Sequence, residues 1–343
     1  MSALIPPLPN TPQRFAGFPI TGAGNVGAVT VDEPVSNPQS FTGKLLGGKY
    51  LVGERIGSGG MAVVYEATNV ETKERVAVKQ INEQSSGRAD REIETSREVA
   101  KLKNPNIVKF VSGGNEYGYA YFVMELVEGP SLKDVLETIY ADSKHKLIKT
   151  NQVSFSPKQV LEMFRDVSHA LALIHDKGFF HRDIKPSNLL IDKNGVIKIS
   201  DLGLAKPTLF NEEDWGRSIT RSNMPIGTLL YMSPEQARGQ ELSDGADVYS
   251  LGVTLYELLT GKLPVPLSQL SEIAEITNTP PVPPVQYNNS IPRTLNKLIL
   301  DMLLKFPYER PSASEVEERL SEIITSDEIK GLTFNKPKFI LAA

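Results

Sequence analysis

His181-Arg182-Asp183-Ile184-Lys185-Pro186-Ser187-Asn188 sets a carboxylate, an ammonium and a carboxamide within six residues, and an aliphatic run, Leu189 to Ile191, follows at once. Asp183 can accept or orient a hydroxyl proton, Lys185 can sit on a phosphate, and the oxygen of Asn188 can hold a metal. A merely solvated charged loop would not need an apolar strand directly behind it. Downstream, Val196-Ile197-Lys198-Ile199-Ser200-Asp201-Leu202-Gly203 brings a second carboxylate to the end of a strand, 18 residues after the first. Asp201 and Asn188 together offer hard oxygen donors of the kind that suit magnesium already bound to phosphate.

Further upstream lies Ile56-Gly57-Ser58-Gly59-Gly60-Met61-Ala62-Val63-Val64, followed by Val76-Ala77-Val78-Lys79. Alone, the glycine run signals no more than a turn between strands. Lys79 changes its weight. On a strand otherwise made of Val and Ala, a lysine carries a desolvation cost unless an anion meets it, and a triphosphate under a glycine-rich flap would be that anion.

The chain around these stretches has ordinary globular composition: 343 residues, 40% hydrophobic and 23% charged, which excludes a wholly disordered or fibrous protein. A formal net charge of −4 argues against nucleic acid as a main partner. The absence of cysteine removes disulfides, thiolate metal sites and a cysteine nucleophile. No window is long and apolar enough for a spanning helix, and the first residues lack the pattern of a signal peptide, so the expectation is a cytoplasmic protein without a membrane span in this chain.

Residues 1–44 hold seven prolines with no strand or helix period, and read as a Pro/Gly-rich tail. Strand-like runs follow at 50–56, 62–68, 75–81, 107–112 and 119–127, with one helical stretch at about 88–103. Beyond Gly129 the period becomes helical. The clearest case has Ser156 as N-cap and Pro157 at the first helical position, and buries Val160, Phe164, Val167, Leu171 and Ile174 before Gly178. The stretch 140–155 reads as a solvated loop.

The order and spacing of these motifs resemble a eukaryotic-type serine/threonine protein kinase. Lys79 precedes Asp183 by 104 residues, and Glu235 of Ser233-Pro234-Glu235 follows Asp201 by 34, as that family's parts require. The resemblance implies an α+β, bilobal fold: a small, mostly β N-lobe over 49–125, a large, mostly α C-lobe over 129–325, and a C-terminal tail over 326–343. It implies ATP and Mg2+ as cofactors and protein substrates with Ser or Thr acceptors. Gly57, Ser58, Gly59, Gly60 and Val64 would form the flap over the phosphates, and Lys79 would meet the α- and β-phosphates. Asp183 would be the base, Lys185 would stabilise the transferred group, and Asn188 and Asp201 would hold the metal. Phe122-Val123-Met124-Glu125-Leu126-Val127 resembles the inter-lobe hinge. Met124 would then stand behind the adenine, the backbone of Glu125 and Val127 would bond it, and Ile56, Val64, Ala77 and Leu190 would sandwich the purine. Asp247 and Gly252 resemble the helix that braces the catalytic loop, and Arg310 the partner of Glu235. Lys185 and Gly227-Thr228 point to the serine/threonine branch, and Met232 to Gly239 to bacterial members.

The third flap glycine is Ala62, and the aromatic expected after Asp201 is Leu202; both keep apolar packing. For the acid that should pair with Lys79, the spacing leaves Glu94 and Glu98 as candidates. Thr220 and Ser222, eight and six residues before Thr228, are expected sites of autophosphorylation, with Arg182 as the phosphate's partner. A catalytically inactive scaffold of the same fold is the alternative, but Lys79, Asp183 and Asp201 are all retained.

Overall fold

The computed structural model describes residues 40–58, 62–84, 87–140, 155–201, 229–265 and 274–334, with 82–84 and 87–92 as backbone only. Its first part is an antiparallel sheet built from β1 (Leu45–Leu46), β2 (Tyr50–Ser58), β3 (Ala62–Asn69), β4 (Arg75–Gln84), β5 (Phe110–Glu116) and β6 (Tyr119–Glu125). The spatial order is β1-β2-β3-β4-β6-β5. One helix, α1 (Gly87–Ala100), lies between β4 and β5 in sequence.

Strand alternation divides the sheet into two working faces. Val63, Tyr65, Ala67, Val76, Val78, Tyr121 and Val123 point outward into one buried cluster. The other face carries Val64, Ala77, Lys79, Phe122 and Met124, paired across strands as Val64↔Lys79, Lys79↔Phe122 and Ala77↔Met124. Gly57 pairs with Val64 on the next strand over. Residues far apart in sequence, singled out above for a single ligand, therefore share one face because the register permits no other arrangement.

The folded body begins before the expected boundaries of 44 and 49. Phe41 and Leu46 are fully buried in the outer cluster. Phe41 stacks near Tyr65, Tyr119 and Tyr121. The Gly43 N–H donates to Val52 O, and the Val52 N–H to Lys44 O. The Lys44 ammonium lies 4.1 Å from the Tyr117 ring centroid, so residues 41–47 run as a strap over the sheet's outer face. A single anchor in an aperiodic, glycine-containing stretch has no sequence period to betray it. β5 also differs from the expected 107–112. Ile107 instead makes an isolated parallel bridge to Ile199, and the strand starts at Phe110.

The second part is helical. α2 (Leu132–Tyr140) and α3 (Pro157–His175) are followed by the hairpin β7 (Leu189–Ile191) and β8 (Ile197–Ile199), then α4 (Pro234–Ala237) and α5 (Gly245–Thr260). Next come α6 (Glu275–Asn278), α7 (Pro284–Tyr287), α8 (Arg293–Met302) and α9 (Ala313–Thr325). α3 begins as expected, with a reciprocal capping box between Ser156 and Gln159. α5 is buried along nearly its whole length and forms the axis of this lobe. Packing continues into the expected tail at 326–343. Leu332 joins the core, and Asn288 donates to the carbonyls of Leu259 and Thr333 at 2.8 and 2.7 Å. At the junction of the two parts, a Cβ on Gly129 would lie 2.0 Å from Ile191 O, so only glycine lets the chain cross the hairpin there.

Candidate active site

The two parts meet at a cleft whose inner wall includes Lys79, Ser96, Phe122, Met124, Ile199 and Asp201. Lys79 Nζ donates to Asp201 Oδ1 at 2.8 Å, joining the sheet to the segment after β8. Burial alone would raise the Asp201 carboxyl. The Lys79 ammonium, by charge and by hydrogen bond, outweighs that and holds it below the ordinary carboxylate value. Asp201 sits at φ 56°, a left-handed conformation uncommon for a residue with a Cβ.

The loop from His181 to Asn188 is tied down from below. Asp247, fully buried on α5, accepts the backbone N–H groups of His181 and Arg182 at 2.7 and 2.6 Å. His175 Nε2 lies 2.9 Å from the same carboxylate. These bonds hold Arg182 at φ 65°, and Gln236 Nε2 donates to its carbonyl at 2.9 Å. Such strain persists only where surrounding structure over-determines it.

On that support the functional groups converge. Lys185 Nζ lies 3.2 and 3.0 Å from the two carboxylate oxygens of Asp183. Asn188 Nδ2 donates to the Asp183 carbonyl at 2.8 Å and to Oδ2 at 3.1 Å, which fixes the amide so that its oxygen faces away from Asp183. Ser200 links Asn188 to Asp201: its N–H and its Oγ both donate to Asn188 O, at 2.8 and 3.1 Å. The Ser200 carbonyl receives His181 Nε2 at 2.8 Å. Because a carbonyl only accepts, that nitrogen carries the proton, and Nδ1 is free to accept the Asp183 N–H at 3.3 Å. Burial keeps His181 neutral, its pKa below the usual histidine value, against the opposing pull of Asp247.

Among the described residues no cluster of three or more His, Asp or Glu could enclose a metal by itself. An amide oxygen and a carboxylate are instead a partial, hard-donor set. That fits magnesium, which keeps other positions for water and phosphate oxygens.

Residues 50–320 match the family model of the protein kinase domain. The chain belongs to the protein kinase family. It is 35% identical over 287 residues to a probable serine/threonine-protein kinase of Clostridium acetobutylicum, covering 82% of this chain and 41% of that protein. It is 32% identical to the serine/threonine-protein kinase PrkC of Bacillus subtilis (85% and 43% covered). It is 33% identical to the serine/threonine-protein kinase PknB of Mycolicibacterium smegmatis (87% and 47% covered). The chain spans less than half the length of these relatives, and it falls with bacterial members of the eukaryotic-type serine/threonine group.

Of the residues picked out for this kinase from sequence, Lys79 and Asp201 line the cleft as one hydrogen-bonded pair, and Asp183, Lys185 and Asn188 form a second hydrogen-bonded group, tied to the Asp201 segment through Ser200. Gly57, Val64, Ala77 and Met124 lie on the sheet face above it. Ile56 is half exposed near the end of β2, and Ser58 ends that strand. Leu190 pairs with Lys198 across the β7–β8 hairpin. Glu125 ends β6, and Val127 follows it in the connection to the helical lobe. Gly59, Gly60, Thr220 and Ser222 lie outside the described residues.

Neither candidate acid for Lys79 is placed to serve. Glu94 is exposed and bonds Arg97, and Glu98 bonds Lys101. Both lie off the buried face of α1, which is set by Ile93, Ser96 and Val99. Counting back from Asn104-Pro105 without knowing where the helix ended gave the wrong face. The signal that would have found the right one is the spacing of 93, 96 and 99. Among the described residues no helix is long and apolar enough to cross a membrane.

Proposed function

We propose that this chain is an active serine/threonine protein kinase that transfers the γ-phosphoryl group of ATP to the hydroxyl of a protein. The observation that carries this is the grouping of Asp183 with Lys185 and Asn188 beside the Lys79–Asp201 pair. In the reaction, the acceptor oxygen forms a bond to the γ-phosphorus as the bond to the ADP oxygen breaks, and Asp183 takes the hydroxyl proton. Lys185 leaves its contact with Asp183 for the charge on the moving phosphoryl group. Asn188 and Asp201 would hold magnesium, which supplies charge neutralisation on the phosphates. Ile56, Val64, Ala77 and Leu190 sandwich the purine, Met124 backs it, and the backbone of Glu125 and Val127 bonds it. Gly57 to Gly60 cover the phosphates.

Autophosphorylation at Thr220 and Ser222 would activate the enzyme, with Arg182 receiving the phosphate.

The deciding measurement is transfer of labelled phosphate from magnesium-ATP to the chain itself and to a generic basic protein. Wild type labels both and Asp183→Asn neither. Equal labelling by the two would remove the assignment, and no labelling by wild type with nucleotide still bound would favour the inactive scaffold. Mass spectrometry of the labelled chain locates the phosphate, and its absence from both Thr220 and Ser222 refutes that part.

A further inference from the structure

β8 carries one charged side chain between two buried isoleucines. Ile197 and Ile199 are at most 1% exposed, while Lys198 turns to the opposite face, its side chain only 12% exposed. There it stands directly across from Leu190. Opposed residues on neighbouring antiparallel strands put their side chains on one face. Lys198 therefore shares the face of the hairpin that forms the floor beneath the purine in the reading above.

From that floor its ammonium reaches the wall. Lys198 Nζ donates to Glu125 Oε1 and to Pro105 O, both at 3.0 Å. The same Glu125 oxygen accepts the Lys109 N–H at 2.8 Å, and the Glu125 N–H returns to Lys109 O at 2.9 Å. Glu125 is the last residue of β6, where the sheet hands over to the helical lobe.

Folding alone does not call for a lysine here. Backbone bonds already sew β8 to the approach of β5, Ile199 N–H to Asn106 O and Val108 N–H to Ile199 O, at 2.8 and 2.9 Å. The isoleucines supply the apolar packing. A largely buried ammonium costs desolvation that an apolar residue of its size would not, so what it adds is a fixed distance. We infer that Lys198 is a positioning residue for the nucleotide, a strut holding the hinge at Glu125 against the floor at Leu190. Without it the Glu125 carboxylate keeps only the Lys109 N–H among these partners, and the two surfaces that would grip a purine are no longer set at one separation.

This rests on reading the cleft as a nucleotide site, and the experiment separates the two. A fluorescent ATP analogue with magnesium is titrated into the full chain and into Lys198→Met, Lys198→Arg and Glu125→Gln, with thermal midpoints measured alongside. Wild type binds. Lys198→Met binds about tenfold more weakly, as loss of one charge-assisted contact would give. Lys198→Arg, which can make the same donations, restores binding to within about twofold. Glu125→Gln, which keeps shape but removes the charge, falls between and remains informative if the methionine variant folds poorly. Wild-type affinity in folded Lys198→Met with only a lower midpoint assigns the lysine to stability and overturns the strut. Failure of wild type itself to bind removes the nucleotide reading, and the strut with it.

Discussion

Two ion pairs of this kinase, one within the helical part and one joining the sheet to it, have similar chemistry and opposite construction. Arg310 and Glu235 meet through both guanidinium nitrogens at 2.6 and 2.7 Å, with side-chain exposures of 0% and 2%. The remaining donors of Arg310 go to the carbonyls of Leu304, Gly245 and Lys305, and Tyr249 lies against its plane. Lys79 meets Asp201 at 2.8 Å, with exposures of 17% and 35%. The first pair is closed on every side and can only hold geometry. The second opens onto the cleft, and a lysine is a rotatable point charge where arginine is a rigid fork. One fixes the packing of the helical part; the other holds charges that face the cleft.

The contrast breaks first at Arg310. Arg310→Met leaves Glu235 buried without its partner, and the expected loss of stability is about 3–5 kcal/mol, read by denaturant unfolding. Replacing both partners with apolar residues should recover much of that, because no stranded charge remains. A loss below about 1 kcal/mol for the single variant would show that the pair is no more than a surface contact.

Next comes the strap. Phe41 is fully buried on the sheet face opposite Lys79. Phe41→Ala should destabilise the N-lobe by about 3 kcal/mol, the scale for removing a buried ring. Hydrogen exchange should report it in the amides of β3 and β4 while those of α5 stay protected. Equal loosening of both lobes would contradict a division in which the sheet's outer face bears stability and its inner face bears ligand chemistry.

These two sites also mark how far the sequence could be read. The grouping of Asp183, Lys185 and Asn188 was legible because the three fall within six residues, 183–188, and local spacing alone brings them together. The Arg310–Glu235 pair and the Asp247 brace were legible only through resemblance, since 75 and 66 residues separate the partners. Phe41 was not legible. One aromatic among glycines and prolines has no period, and its burial is decided by four tyrosines on three other segments. The face of α1 failed for a related reason: helix phase is fixed by contact with β5, where Gly113 makes room for Ile93. Asp201's conformation and the tautomer of His181 depend on Ser200, whose importance no motif announced.

A third, smaller effect comes from His181. Its pKa lies below the usual 6.5 because burial disfavours the charged form. Between 6.5 and the folded value the unfolded chain binds the extra proton, so stability is retained above 6.5 and falls as pH drops through that window. The slope from this one group is at most about 1.4 kcal/mol per pH unit. Unfolding midpoints of wild type and His181→Asn measured at pH 7 and pH 5.5 isolate it. An identical acid loss in both would show that His181 is not the group responsible.

The smallest expected change in stability belongs to the pair with the largest expected effect on transfer. Lys79→Met should abolish phosphate transfer yet cost only about 1 kcal/mol in unfolding, well short of Arg310→Met, because the part-buried Asp201 keeps 35% of its side chain exposed at the cleft and can rehydrate when the ammonium is lost. Its pH dependence has a definite sign. Asp201 is held below its ordinary value near 3.8 mainly by Lys79 working against burial. The stability that the pair contributes is therefore present above that value and lost as pH falls through the folded one. Wild type and Lys79→Met should differ slightly at pH 7 and converge only as the pH falls through the folded value of Asp201, which lies below 3.8. A variant destabilised as much as Arg310→Met would put Lys79 in the same class as the buried arginine. That result would erase the distinction between a pair that holds the fold and a pair open to a ligand.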